Sequence, residues 1–150
     1  MTQDLSTARG VLQAFIAAWN AGDADALAAL FVEDADFVNV VGFWWRSARQ
    51  IRKAHEYGFR RIFANARLDV LDVKLRAVTP EVTILHCVVA LEGQSAPDGT
   101  PAGPRVTVLS MVTIRQETGL RILSCHNTDR VEGADTHLRD TTGFRAVDYR

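Results

Sequence analysis

RLDVLDVKLRAVTPEVTILHCVVALE, residues 67–92, is the stretch that decides the fold. Arg67 to Val78 alternates Leu68 and Val70 with polar partners and then, past Leu71, continues with Val73 and Leu75. Alternation at period two is a strand with one buried face. The change of parity near Leu71 and Asp72 reads as a β-bulge, which bends a sheet. Thr79-Pro80-Glu81 turns the chain, and Val82 to Glu92 follows as a second strand. Its apolar residues occupy both parities, which predicts a central strand covered on both faces.

Downstream, Gly93 to Pro104 holds three of the four prolines and three glycines, and reads as a mobile loop longer than a hairpin requires. Arg105 to Glu117 and Leu120 to Thr128 form two more strands, joined at Thr118-Gly119. Val131 to Arg150 reads as a surface strap or a disordered end. Upstream, Leu5, Ala8, Leu12, Phe15, Ile16 and Trp19 recur at helical spacing over Asp4 to Ala21, and Gly22 stops that helix. Asp23 caps a short second helix carrying Leu27, Leu30 and Phe31. Asp36 to Val41 and Phe43 to Arg46 form a strand pair about Gly42. Ser47 caps a third helix, to about Phe63, with Ile51, His55, Gly58, Phe59 and Ile62 on one stripe. Helices followed by a meander of long strands predict an α+β domain: a bent, cone-like sheet packed against three helices. The domain spans 1–130, with 131–150 as a tail.

A chain of 150 residues, 47% hydrophobic, builds one core. Its net charge of −1 supplies no basic stripe, which argues against nucleic acid and membranes as partners. Met1 to Arg9 has no apolar region of the kind a secretory leader carries, and Val82 to Leu91 is too short to span a bilayer. Cys87 and Cys125 lie among apolar neighbours and read as free thiols in a reducing compartment, the cytoplasm.

The run Phe15-Ile-Ala-Ala-Trp-Asn-Ala-Gly-Asp23, then Ala-Leu-Phe31, then Glu33-Asp-Ala-Asp-Phe-Val-Asn-Val-Val-Gly42, resembles the nuclear transport factor 2-like superfamily. That superfamily includes SnoaL-like polyketide cyclases, ketosteroid isomerases and scytalone dehydratases. Asp36-Phe-Val-Asn-Val-Val-Gly-Phe-Trp-Trp-Arg46, His55 and Ser124-Cys-His-Asn-Thr-Asp129 are similar to its SgcJ/EcaC branch, found in gene clusters for enediyne polyketides. The resemblance implies a cone-shaped domain with an interior pocket, and a homodimer formed through the open sheet face. Beside the ketosteroid isomerase pattern, Asn39 stands where the carboxylate base belongs and Phe15 where the tyrosine donor belongs. Neither does that chemistry.

The candidate site is therefore argued from the residues. His55, on the inner helix stripe, and His86, in the central strand, are the candidate acid–base pair, since imidazole titrates near neutrality. The alternative reading of His55 is a partly buried histidine bonded to one backbone carbonyl, and that of His86 is a core histidine against the helices. Asn39, Trp44, Trp45, Phe15, Met111, His126 and Asn127 are the candidate substrate contacts. Trp44 and Trp45 diverge, so one lines the pocket mouth, and His126 and Asn127 face opposite ways, so at most one enters the pocket. A zinc site from His55, His86 and His126 has no supporting histidine pair at i,i+2 or i,i+4. No glycine-rich dinucleotide fingerprint is present, and no cofactor is expected. The expected function is binding of a hydrophobic polyketide-type molecule, with a cofactor-free cyclisation, isomerisation or dehydration in secondary metabolism. The competing expectation is a non-catalytic binding, chaperone or dimerisation module assisting a polyketide synthase.

Overall fold

The computed structural model describes residues 3–150; the first two residues of the stretch read as lacking a leader lie outside it. Helix α1, Ala8–Asn20, starts one turn later than its apolar stripe suggests, because Thr7 caps it by accepting from the Gly10 N–H at 3.0 Å. Leu5 still packs on the core from outside the helix. Gly22, at φ +65°, ends the turn after α1. Helix α2, Ala24–Ala28, is capped by Asp23 as its sequence requires.

Strand β1, Phe31–Val38, begins five residues before the expected Asp36. Phe31, assigned to the second helix by its apolar spacing, instead pairs with Ile122. An irregularity between Phe31 and Asp36 leaves Glu33 and Asp34 in solvent, and that acidic pair hides the strand alternation. Strand β2 is only Trp44–Trp45. Helix α3, Ala48–Arg61, is capped by Ser47 and ends slightly early, where Phe63 turns back onto Gly58.

Strands β3 (Arg67–Ala77), β4 (Val82–Glu92), β5 (Arg105–Gln116) and β6 (Gly119–Arg130) form the antiparallel meander. The sheet order is β2-β1-β6-β5-β4-β3, with β1 parallel to β6. The bulge at Leu71 is present. The helices cover one face only, against Leu85, Cys87, Val89 and Leu91 of β4 and Leu109 and Met111 of β5. β4 is therefore not covered twice: Val82, Ile84 and Val88 of its other face are half-exposed and His86 is open. The side-chain amide of Asn20 at the end of α1 donates to the Leu68 carbonyl (2.9 Å) and accepts from the Leu68 N–H (2.8 Å), pinning α1 to β3.

The 93–104 segment is tied down. Ser95 bridges to Pro101, and the Ser95 N–H donates to the Ile62 carbonyl at the end of α3. Gly93, at φ +80°, passes so close to the Asn65 carbonyl that no side chain fits there. The tail is neither a strap nor a disordered end. Strands β7 (Thr136–Asp140) and β8 (Gly143–Val147) pair as a separate hairpin, because Asp140-Thr-Thr-Gly143 supplies a turn held by Asp140 and Thr142. No helix among the described residues is long and apolar enough to cross a membrane.

Candidate functional site

The inner face of the sheet and the helices α1 and α3 enclose a cavity of about 130 Å³. A dry cavity of similar size takes up one benzene ring. The cavity therefore encloses about one ring of a ligand, and the rest of a larger molecule must lie in the mouth. Phe15, Trp19, Phe37, Trp45, Phe59 and Phe63 give it an aromatic lining. Five polar side chains also line it: Asn39, His55, Arg105, Thr107 and Asn127.

His55 comes from α3, one turn after Ile51. Its ring packs against Phe37, Trp45 and Phe59, with centroids 5.4, 5.8 and 5.9 Å away. Nδ1 lies 2.8 Å from the Ile51 carbonyl. A carbonyl only accepts, so Nδ1 carries the proton and Nε2 carries the lone pair. Nε2 has no protein partner among the described residues and is not sealed off from solvent. Burial pushes the His55 pKa below its usual value, and the Ile51 carbonyl opposes that shift more weakly. The ring is thus a neutral base at neutral pH, held in one tautomer at the cavity wall.

Asn127 enters from β6. Its Oδ1 is fully buried without a hydrogen-bond partner, an uncommon condition for a polar atom. At the rim Arg105 donates to both oxygens of Asp129 at 2.9 and 2.7 Å and to Gln94 at 3.0 Å, and the Thr107 hydroxyl donates to Asp129 at 2.7 Å. These charges are spent on each other, and the cavity offers a ligand no free ion. Asn39 also lines the cavity, but its Oδ1 accepts from the N–H groups of Val41 and Phe43, so it holds the hairpin rather than presenting a free acceptor.

Of the residues singled out in the sequence, the structure gathers His55, Phe15, Trp45, Asn39 and Asn127 at one cavity. It corrects four others. His86 projects from the outer sheet face, where it meets Ser110 at 3.2 Å, because its neighbours Leu85 and Cys87 take the helix side. His126 is exposed on that same outer face, paired across the sheet with Ser110. The register passes from Val112↔Ser124 to Thr113↔Ile122, so Leu123 is an extra residue that reverses the parity beyond it. Simple alternation placed Ile122 with His126; the bulge puts Ile122 and Asn127 inside instead. Trp44 turns outward, donates its indole N–H to Asp36 at 2.6 Å and stacks under Arg46. Met111 is fully buried in the core and does not reach the cavity. The three histidines are not brought together, so they do not form one metal site, and no cluster with metal-ligand geometry occurs among the described residues. Sequence reading missed Arg105 and Thr107, which share the parity of Leu109 and Met111 on β5, and Asp129, whose place beside them on β6 depends on the extra residue at Leu123.

The family model for the SnoaL-like domain matches residues 12–123. The chain belongs to this family. The SnoaL-like domain also has clear structural neighbours. An uncharacterised protein with a cystatin-like fold from Caulobacter vibrioides is 26% identical, with a TM-score of 0.76 over 83% of this chain and 87% of that one. A candidate scytalone dehydratase from Novosphingobium aromaticivorans is 15% identical, with a TM-score of 0.73 over 82% and 81%. A nuclear transport factor 2-like superfamily protein from Salmonella enterica is 15% identical, with a TM-score of 0.72 over 81% and 87%. These likenesses establish the cystatin-like, nuclear transport factor 2-like architecture. No curated protein matches the chain.

Proposed function

We propose that this SnoaL-like protein binds a hydrophobic, polyketide-type molecule in the cavity and promotes a cofactor-free proton-transfer step of secondary metabolism, of the kind its resemblance to the enediyne-associated SgcJ/EcaC branch implies. One observation carries the reading: His55 lines an aromatic cavity with its Nδ1 bonded to the Ile51 carbonyl and its Nε2 without a protein partner among the described residues. His55 is the general base. Asn127, in place of His86, is the second polar contact, and its N–H donates to the ligand oxygen on which charge develops. Phe15 and Trp45 hold the apolar body. General acid–base assistance of this kind is worth ~10²–10⁴-fold. We take the working protein to be a homodimer through the outer sheet face, where Ile84, Val88, Val108 and Val112 stand half-exposed. We assign it to the cytoplasm, where Cys87 and Cys125 stay reduced.

The test follows the α-protons of an enolisable aryl ketone by NMR in deuterium oxide. Wild type is expected to accelerate exchange by ~10²-fold or more, and His55→Phe to lose that acceleration while still binding the ketone. Equal exchange in both proteins would sink the catalytic reading. The binding or chaperone reading has one observation in its favour, since no carboxylate lines the cavity. It predicts that native mass spectrometry finds a retained small mass in both proteins with no exchange in either.

A further inference from the structure

The hairpin tip after β1 is the least explained surface of the molecule. Val41 is 76% exposed, Phe43 66% and Trp44 52%. Single apolar side chains in water are ordinary, but three within four residues mark a contact surface. The tip is braced from inside. Asn39 Oδ1 accepts from the Val41 and Phe43 N–H groups at 3.1 and 2.9 Å, the Asn39 carbonyl accepts from Gly42 at 3.0 Å, and Asp36 accepts from the Trp44 indole at 2.6 Å. The N–H groups of residues 41 to 43 and the indole N–H are all satisfied within the protein. Such a segment enters an apolar phase without leaving those donors unpaired.

Cations adjoin it. The Arg46 guanidinium lies 3.9 Å over the Trp44 ring. Residues 46–61 hold six cations (Arg46, Arg49, Arg52, Lys53, Arg60 and Arg61) against the one carboxylate of Glu56, in a chain of net charge −1. By helical spacing Arg49, Lys53 and Arg60 share the face of α3 opposite Ile51, His55 and Gly58. Arg52 is tied to Asp25 and Glu56, whereas Arg46, Arg49, Lys53 and Arg61 have no ion-pair partner among the described residues. The whole-chain charge, which argued against membranes, averages over this concentration.

We propose that the Val41–Trp44 tip and the cationic face of α3 form a docking site for an anionic lipid surface. The tip enters the boundary between headgroups and acyl chains, and the cations meet the lipid phosphates. Each cation near such a surface strengthens partitioning by about five-fold. Asn39, Val40 and Trp45 flank the tip and line the cavity, so docking brings the cavity mouth to the bilayer, where apolar molecules collect. The docking rests on the tip and helix alone and stands whatever the cavity does. An acidic protein is the rival occupant. The internally satisfied N–H groups favour lipid, because a protein surface would supply acceptors of its own.

The test is co-sedimentation of the full chain with vesicles of phosphatidylcholine containing about 30% phosphatidylglycerol, against pure phosphatidylcholine, at low salt and at about 0.5 M NaCl. Binding is expected to be at least ten-fold weaker on the neutral vesicles and to be lost at high salt. Val41→Ser and Phe43→Ser change exposed side chains, and each should weaken binding by several-fold with the fold intact. Brominated lipid should quench tryptophan fluorescence in wild type and not in Trp44→Phe. No sedimentation overturns the proposal. So does sedimentation that ignores the tip variants and shows no quenching, which is adsorption by charge alone. A fall from dimer to monomer mass in Phe43→Ser also overturns it, since a second copy then covers the tip.

Discussion

His55 should make the stability of this protein depend on pH in a window where few other groups titrate. Its folded-state pKa is lowered, first by burial among aromatic rings and then, with opposite sign, by the Ile51 carbonyl. In the unfolded chain a histidine titrates near ~6.5. Well above that value both states are neutral at this residue, and the folded protein keeps its full stability. As pH falls through ~6.5 the unfolded state takes up a proton that the folded state refuses, so stability declines until the folded pKa is reached. One proton sets the limiting slope at ~1.4 kcal/mol per pH unit. For a domain of this size that moves the melting temperature by roughly 3–6 °C per pH unit. The assay is urea unfolding, read by tryptophan fluorescence, of wild type and His55→Phe from about pH 8 down to about pH 5.5. Phenylalanine keeps the aromatic packing and removes the titration. Its loss of the bond to Ile51 shifts the whole curve by a constant. The stability of the variant relative to wild type is therefore expected to rise as pH falls below ~6.5. A difference that stays flat with pH would refute the reasoning, because His55 would then titrate alike in both states.

Two further outcomes follow from the same packing. Burial holds the Cys87 thiol up to about 11 and raises Cys125 further still, with the Cys87 charge adding to its burial; both should resist a thiol reagent at neutral pH and react once urea unfolds the chain, and fast labelling of the folded protein would contradict their placement. Asp129→Asn keeps an acceptor for Thr107 but removes the counter-charge of Arg105, whose side chain is 28% exposed against 31% for Asp129; unfolding in urea should show a loss of about 1–3 kcal/mol, and a loss below ~0.5 kcal/mol would mean that the pair behaves as a surface ion pair.

What the sequence disclosed was local chemistry. The caps at Asp23 and Ser47 and the stop at Gly22 depend on residues within one turn, and each sits where its side chain or backbone requires. His55 was legible for the same reason, as one tooth of a helical stripe with Ile51 and Phe59. The early start of β1 was not, because its pairing with β6 is made by residues about ninety positions away and interrupted at Glu33 and Asp34. His86 shows the limit of alternation. Parity groups it correctly with Ile84 and Val88, but which parity faces the helices is settled by packing that no strand contains. Beyond Leu123 even the grouping fails, since one inserted residue moves Asn127 inward and His126 outward. The Arg105–Asp129 pair, 24 residues apart in sequence, appears only once that register is known.

The amide of Asn20 has a consequence for how the protein behaves when crowded. It occupies both hydrogen-bonding groups of Leu68 just as an added strand would, yet it ends there and offers nothing to a next chain. That residue lies on β3, the outermost long strand of the sheet, whose remaining length carries Asp69, Asp72, Lys74 and Arg76 in solvent. The opposite border is β2, two residues long. The sheet thus ends on one side in a strand with a side-chain imitation of a neighbour at Leu68 and charges along the rest, and on the other in a stub, two devices that work against the addition of further chains.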